Sequence, residues 1–315
     1  MVYKKQMKET KKRILVTGGA GFIGSHIVDA YIKLGHQVLI IDNLSSGKMP
    51  NVNSNAEFVL ADITNVKLLK TILTKFKPQI INHHAAHILV GDSVKNPQFD
   101  AQINILGTLN LLESTPKDSL EHILMASTGG AIYGDKKTPF TEQMNEQPLS
   151  PYGISKKAGE LYLHYYYKQY GIPYTILRYA NVYGPRQNAH GESGVIAVFS
   201  DLISQNQQPI INGDGTHTRD YVFIEDVVRA NMLATTRKYC GKINIGTKTE
   251  YSTNSIFEKI VSEFKADIQK KYGPERPGEQ VTSSLSFDKA ERILGWHPTV
   301  GINEGIKKTT EWYKR

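Results

Sequence analysis

Ile14-Leu15-Val16-Thr17-Gly18-Gly19-Ala20-Gly21-Phe22-Ile23-Gly24 has the order strand, turn, helix. Arg13 to Thr17 is a short apolar run that ends in glycines. Phe22 to Leu34 then carries Ile23, Ile27, Ala30 and Leu34 at helical spacing before Gly35. Gly19, Gly21 and Gly24 satisfy one dinucleotide pattern, and Gly18, Gly21 and Gly24 its three-residue-spaced variant. Both ask for the same backbone: a tight turn, a main chain that a pyrophosphate can approach, and a helix whose N-terminus favours anionic phosphate. Gln37-Val38-Leu39-Ile40-Ile41-Asp42 reads as the next strand, and Asp42 lies 18 residues beyond Gly24. That is close to the offset of about 20 at which a carboxylate accepts the adenosine ribose hydroxyls. A carboxylate there repels a 2′-phosphate, and residues 43 to 48 hold one cation, Lys48, so NAD is preferred over NADP. Expected cofactor contacts along this unit are Gly18, Gly21, Phe22, Ile23, Gly24, Asp42, Asn43, Ser46 and Gly47.

Outward from this unit the chain keeps alternating. Glu57 to Asp62, Gln79 to His84, His122 to Ser127, Tyr174 to Arg178 and Lys242 to Gly246 read as buried strands, with a helical pattern over Val66 to Phe76 broken by Pro78. Parallel neighbours need a crossover, usually a helix, so the pattern predicts an α/β fold with a Rossmann-type doubly wound parallel sheet. From about residue 181 Pro185, Pro209, Gly213, Gly215, Pro274, Pro277 and Gly278 punctuate shorter segments. The expected division is an NAD-binding domain over 1–180 and a smaller C-terminal α/β substrate lobe over 181–315, with residues near 222–247 returning to the first domain. No internal repeat, low-complexity linker or heptad seam is present.

At 315 residues and 40% hydrophobic composition the chain can bury a sizeable core. Of the formal charge of +8, residues 1 to 13 hold +5, so the excess is a solvated N-terminal extension and nucleic acid is not an expected partner. No run of about 18 apolar residues and no secretory signal are seen, which makes the membrane an unexpected partner and the cytoplasm the expected compartment. Cys240 is the single cysteine and reads as a packed residue. His83, His84 and His87 lack a carboxylate or cysteine at ligand spacing, so no metal is expected.

Tyr152 and Lys156 stand four residues apart in Pro151-Tyr152-Gly153-Ile154-Ser155-Lys156, on one face if a helix runs through them. A lysine cation and an oxidised nicotinamide would both favour a phenolate, making Tyr152 a candidate general base. With Ala61-Asp62-Ile63, His83-His84-Ala85-Ala86, Asn104-Ile105-Leu106-Gly107-Thr108 and Ser127-Thr128-Gly129-Gly130-Ala131-Ile132-Tyr133-Gly134, these motifs resemble the extended short-chain dehydrogenase/reductase family. Within it they are similar to the UDP-galactose 4-epimerases. The match continues through Arg178-Tyr179-Ala180-Asn181-Val182-Tyr183-Gly184-Pro185-Arg186-Gln187, Thr218-Arg219-Asp220-Tyr221-Val222, Arg276-Pro277-Gly278-Glu279 and Leu294-Gly295-Trp296.

The resemblance implies that Asp62 and Ile63 contact the adenine, Ala85 and Ala86 line the nicotinamide side, and Asn104 helps hold the cofactor. It implies that Asn181 binds a diphosphate oxygen, that Arg219 and Arg276 neutralise the phosphates, and that Val195 to Phe199 pack near the uracil, with Tyr179 also at the substrate. The hydroxyl partner of Tyr152 is expected at Thr128, with Ser127 in reserve, since the position that carries it in many relatives falls on Gly129. Related dehydratases place an Asp-Glu pair where this chain has Gly129 and Gly130, so the resemblance implies an isomerase working by 4-epimerisation of a UDP-hexose. Glucuronate epimerase, dehydratase and a non-catalytic NAD sensor are the alternatives. Ser283 stands where some epimerases carry a tyrosine beside the sugar C2 substituent, which implies room for an N-acetyl group. Tyr162, Tyr165, Tyr166, Tyr167 and Tyr170 are read as packing, with a homodimer formed by that helix and the one near Asn104 to Glu113.

Overall fold

The computed structural model describes residues 11–189, 194–275 and 280–314. In chain order the elements are β1 (Arg13–Thr17), α1 (Phe22–Lys33), β2 (Gln37–Asp42), β3 (Glu57–Leu60), α2 (Val66–Phe76), β4 (Ile80–His83), α3 (Val90–Lys95), α4 (Pro97–Ala101), α5 (Gly107–Ser114) and β5 (His122–Thr128). A five-residue π-type turn, Gln102–Leu106, joins α4 to α5. Then come α6 (Pro151–Tyr170), β6 (Tyr174–Tyr179), β7 (Asn181–Tyr183), α7 (Val195–Ser204), β8 (Ile211–Asn212), β9 (Thr218–Phe223), α8 (Ile224–Arg237) and β10 (Gly241–Ile245). The chain closes with β11 (Glu250–Ser252), α9 (Thr253–Phe264), β12 (Tyr272–Gly273), β13 (Thr282–Ser283), α10 (Asp288–Leu294) and α11 (Ile302–Tyr313).

Seven strands form one parallel sheet in the order β10-β6-β5-β4-β1-β2-β3. Each central strand is buried on both faces, and alternate residues serve opposite layers. Ile14, Val16 and Ile80 face the layer that holds Ile27 of α1 and Val227 of α8. Leu15 and Ile81 face Leu69 and Leu73 of α2, Leu111 of α5 and Leu163 of α6. Strand order reverses between β1 and β4, where Thr17 pairs with His83. The crevice beyond the carboxyl ends of those two strands is where an open α/β sheet takes its ligand.

Beyond β6 the chain divides its residues between two sheets. β10 adds to the large sheet beside β6, and α8 packs on α1. β9 centres a second sheet of order β11-β9-β13, with β7 also pairing to it, and α7, α9 and α11 pack together behind it. One core is continuous through both parts, since Ile14 and Val16 belong to the same buried cluster as Phe199, Tyr221 and Phe257. Among the described residues no helix is long and apolar enough to cross a membrane.

Candidate active site

The first turn of the reversal crevice is built by close approach. Gly21 N–H donates to Gly18 O at 3.1 Å, and a Cβ added at Gly24 would stand 2.1 Å from the same oxygen. Only a hydrogen fits between α1 and the turn at Gly24. At Gly21 the added Cβ would meet Gly18 O alone, at 3.2 Å, so that side is open. No side chain caps α1 and no acidic residue stands in its first turn, where Phe22 and Ile23 are half-buried. A helix start of this kind holds unsatisfied N–H groups toward an anion.

Asp42 is buried at the end of β2, with Oδ2 accepting from Ala20 N–H (3.0 Å) and Oδ1 from Leu44 N–H (2.8 Å). Gly47 lets the next loop lie against this carboxylate, since a Cβ there would come to 2.8 Å of Oδ1, and Ser46 beside it is exposed. Asn43 donates to Asp62 Oδ2 at 2.7 Å. Burial raises the Asp62 pKa, but hydrogen bonds from Thr64 and Asn43 prevail and hold it below the usual carboxylate range. Ile63 follows, buried against Gly107. Across the crevice Ala85 N–H donates to Thr17 Oγ1 at 3.2 Å, fixing the half-buried Ala85 and Ala86 beside the glycine turn. An open, uncapped helix start, a carboxylate one strand away and a small-residue wall opposite fit NAD.

Ser150 and Pro151 set where α6 begins: the serine side chain accepts from Gly153 N–H at 3.2 Å, and proline occupies the first turn. Tyr152 and Lys156 therefore share a helix face one turn apart, Lys156 buried and Tyr152 half-buried. Burial pushes the phenol up to about 12, with Asp100 adding to the rise and a Thr128 hydrogen bond opposing it. Burial likewise drops the ammonium to about 8, against Glu160 and Asp100. In the protein alone desolvation outweighs the help expected from the lysine cation, and each group is driven toward neutrality.

Thr128 and Ser127 separate at the end of β5. The Thr128 side chain is near enough to the Tyr152 phenol to oppose the rise in its pKa, and its Oγ1 accepts from Ala131 N–H at 3.2 Å. Ser127, held in reserve for the same role, instead donates to Glu160 Oε1 at 2.6 Å, because neighbouring strand residues point to opposite faces. It belongs to a buried network in which Arg178 pairs with Glu160 and Glu146 and donates to Tyr133 Oη.

Asn181, Gly130 and Ser283 meet where the two sheets face each other. A Cβ added at Gly130 would find only Ser283 Oγ at 3.8 Å and Asn181 Oδ1 at 4.0 Å. At Gly129 the same atom would drive into Leu285, 2.3 Å away. Ser283 pairs with Arg219 across β13 and β9, which brings the half-buried guanidinium to the same edge. Two residues expected at the substrate are buried side chains. Tyr179 is buried, its Oη accepting from Asn231 Nδ2 (2.9 Å) and meeting His84 Nε2 (3.2 Å), so its phenol is turned into the protein. Phe199 is in the core, edge-on to Phe257 with centroids 5.7 Å apart, leaving the half-buried Val195 at the start of α7 nearer the surface. Arg276 lies outside the described residues.

A model described as the NAD-dependent epimerase/dehydratase family matches residues 14–246. The chain belongs to this family. It is 41% identical over 309 residues to the UDP-glucose 4-epimerase of Mycolicibacterium smegmatis, covering 96% of this chain and 98% of that one. A solved UDP-glucose 4-epimerase of Thermotoga maritima with UDP-glucose is 44% identical, with a TM-score of 0.92 over 96% of this chain and 98% of that one. A UDP-N-acetylglucosamine 4-epimerase of Methanobrevibacter ruminantium is 35% identical, with a TM-score of 0.90 over 97% and 99%.

For a family member whose cofactor is NAD, the histidines next to the crevice have a structural explanation. His83 is held between Thr17 Oγ1 (2.7 Å) and Thr108 Oγ1 (3.0 Å), and burial drops both His83 and His84 to about 3, helped by Lys156. Among the described residues no group of three or more histidines, cysteines or carboxylates is arranged to hold a metal. Asn104, expected to help hold the cofactor, turns its amide to the loop after β4: its Nδ2, with two hydrogens to donate, lies within reach of His87 O (2.9 Å), Asp100 Oδ1 (3.0 Å) and Ser155 Oγ (3.1 Å), and its Oδ1 accepts from His87 N–H (2.8 Å). Asp100, Ser155 and Glu160 were not singled out by the motifs. Their four-residue spacing from Asn104 and Lys156 was the available signal, with Ser155 next to Lys156 in sequence.

Proposed function

We propose that this protein is a UDP-hexose 4-epimerase that interconverts UDP-glucose and UDP-galactose through a transient 4-keto sugar. The observation that carries the reading is the surroundings of Thr128. Gly129 packs against the Leu285 side chain and Gly130 carries no side chain, so neither of the two positions after Thr128 offers an acid or base to eliminate water. When bound, NAD supplies the acceptor and donor of the C4 hydride. Tyr152 takes the O4 proton, and Thr128 holds the phenol oxygen and the sugar O4 in line. Lys156 stabilises the phenolate by its charge. The open space over Gly130 and beside Ser283 lets the keto sugar turn and present its other face, after which Tyr152 returns the proton.

Similarity to the epimerases named above supports a uridine diphosphate leaving the sugar exposed at the crevice. Asn181 and Arg219, with Arg276, supply donors for the diphosphate, and a guanidinium meets two phosphate oxygens at once. The small Ser283 supports acceptance of UDP-N-acetylglucosamine as well. The first lobe thus takes the cofactor and the second the sugar nucleotide. We also propose a cytoplasmic homodimer, supported by the exposed Ile154, Leu161 and Tyr165 on α6 and by Phe99 and Leu106 on the neighbouring helical stretch.

Purified protein given UDP-galactose should yield UDP-glucose by chromatography without loss of mass, and Tyr152→Phe should cut kcat by about 10²-fold or more. Loss of water from the product, or bound NAD with no turnover, would overturn the proposal.

A further inference from the structure

Asp100 is a buried carboxylate that the reaction as described does not use. Its Oδ1 accepts from Asn104 Nδ2 at 3.0 Å and lies 3.3 Å from His87 Nδ1. Its Oδ2 is buried and accepts no hydrogen bond among the described residues. The carboxylate sits where α4 packs on α6, and Asn104 ties it through Ser155 Oγ to the backbone carbonyl of Tyr152 (3.0 Å). A buried charge with one oxygen unspent is costly unless an opposite charge is close.

We propose that Asp100 is a positioning residue of the catalytic pair, a buried counter-charge that keeps Lys156 an ammonium and keeps Tyr152 a phenol until the positive charge of the oxidised cofactor arrives. The inference rests on the epimerase reading for its catalytic meaning, but its electrostatic part stands on the unliganded protein. Asp100 acts on both members, raising Lys156 against burial and raising Tyr152 along with burial. The other ionisable groups around the pair are Glu160 on α6, His83 on β4, and His84 and His87 on the loop after it. Burial drops both His83 and His84 to about 3, which leaves Asp100 and Glu160 as the negative charges. Glu160 is held by Arg178 and Ser127, whereas among the described residues Asp100 has no lysine or arginine partner. The pair's charge state is thereby coupled to cofactor occupancy: the phenolate forms when a second cation offsets Asp100.

Two readouts test this. Tyrosinate absorbance of the cofactor-free protein, taken as wild type minus Tyr152→Phe, reports the phenol of Tyr152 without any turnover. In the Asp100→Asn background this titration should move to lower pH by about one unit, the size of effect expected of a nearby like charge. The pH profile of kcat/KM for UDP-galactose should move to lower pH by a similar amount, while Asp100→Glu stays with the wild type. An unmoved tyrosinate titration in Asp100→Asn overturns the proposal, as does an Asp100→Glu profile displaced as far as that of the neutral variant. Should Asp100→Asn not fold, Asp100→Ser is the neutral variant under the same outcomes. Failure of both to fold also counts against it, since a residue acting by charge on the pair is dispensable to the fold. Absence of turnover in the wild type, with the tyrosinate shift intact, would sink the epimerase reading and leave the counter-charge standing.

Discussion

Gly21 and Gly24 stand three residues apart in one turn, yet the structure assigns them different work, and alanine at each separates the two. At Gly24 the new methyl would sit 2.1 Å from Gly18 O, 2.8 Å from Gly18 C and 3.0 Å from Gly19 Cα, all backbone atoms of the turn that joins β1 to α1. Relief needs a movement of more than about 1 Å between a helix and a strand end, and overpacking of that kind costs about 3 kcal/mol. With an unfolding entropy of about 2.1 cal/mol/K per residue over 315 residues, that is a fall in Tm of about 5 °C. At Gly21 the methyl meets one atom at 3.2 Å, and the backbone, at φ −77° and ψ 179°, is ordinary extended chain for alanine. The cofactor-free Gly21→Ala protein should therefore melt within about 1.5 °C of the wild type, since the smaller unfolded ensemble offsets a slight contact.

Its loss appears when NAD is added. The methyl projects from the open side of the helix start, where the pyrophosphate must touch main chain, and about 1 to 3 kcal/mol of overpacking is about a fivefold to 150-fold loss of affinity. Melting curves of cofactor-free protein with and without NAD, together with calorimetric Kd values, read both effects. An affinity in Gly21→Ala within twofold of the wild type, or equal loss of Tm in the two variants, would refute this account of the turn.

The serine and threonine at the end of β5 should part in the same way. Thr128→Val is expected to keep its Tm and lose about tenfold or more in kcat, and Ser127→Ala to keep kcat and lose about 1 to 3 kcal/mol by leaving Glu160 one donor short, as urea melts will show. Ser283→Tyr, filling the space beside Gly130, should depress turnover of UDP-N-acetylglucosamine more than that of UDP-glucose, and equal effects in a product assay would remove Ser283 from the pocket. His83, His84 and His122 are each pushed down to about 3 by burial. A depressed histidine contributes stability that is complete above its unfolded value of about 6.5 and is lost as pH falls toward 3, at up to about 1.4 kcal/mol per pH unit for each ring. Urea midpoints between pH 6.5 and pH 4 should fall steeply, and His122→Gln should flatten the slope by about a third.

What was legible in advance was local. The β1-turn-α1 unit announces itself because glycine spacing, apolar periodicity and a strand-end carboxylate are all short-range features. Ser150-Pro151 likewise marks the start of α6 and so fixes the Tyr152 and Lys156 face. Strands β8, β12 and β13 are two residues long and exist through pairing with distant partners, so no period can reveal them. Tyr179 and Phe199 were undecided for a different reason: an aromatic side chain suits a core and a ligand wall equally, and resemblance fixes its place in the chain but not the way it points. Between Ser127 and Thr128 strand alternation demanded opposite faces, but only packing against α6 decides which hydroxyl meets Tyr152.

Asp100 shows that part of the remainder was readable after all. Asp100, Asn104 and Thr108 recur every four residues through α4, the π-type turn and α5, and Tyr152, Lys156 and Glu160 recur every four residues on α6. On helices that also bury apolar residues, a polar group at every fourth place is a stripe that must be satisfied from inside. Several members of the two stripes are satisfied from inside: Asn104 bonds Ser155, Thr108 bonds His83, and Glu160 takes Ser127 and Arg178. Asp100 Oδ2 is buried with no hydrogen-bond partner among the described residues. A buried oxygen left over on the polar stripe that packs against α6, whose charge raises an ammonium that burial is driving toward neutrality, is what makes a charge role for Asp100 the economical explanation and the tyrosinate titration its decisive measurement.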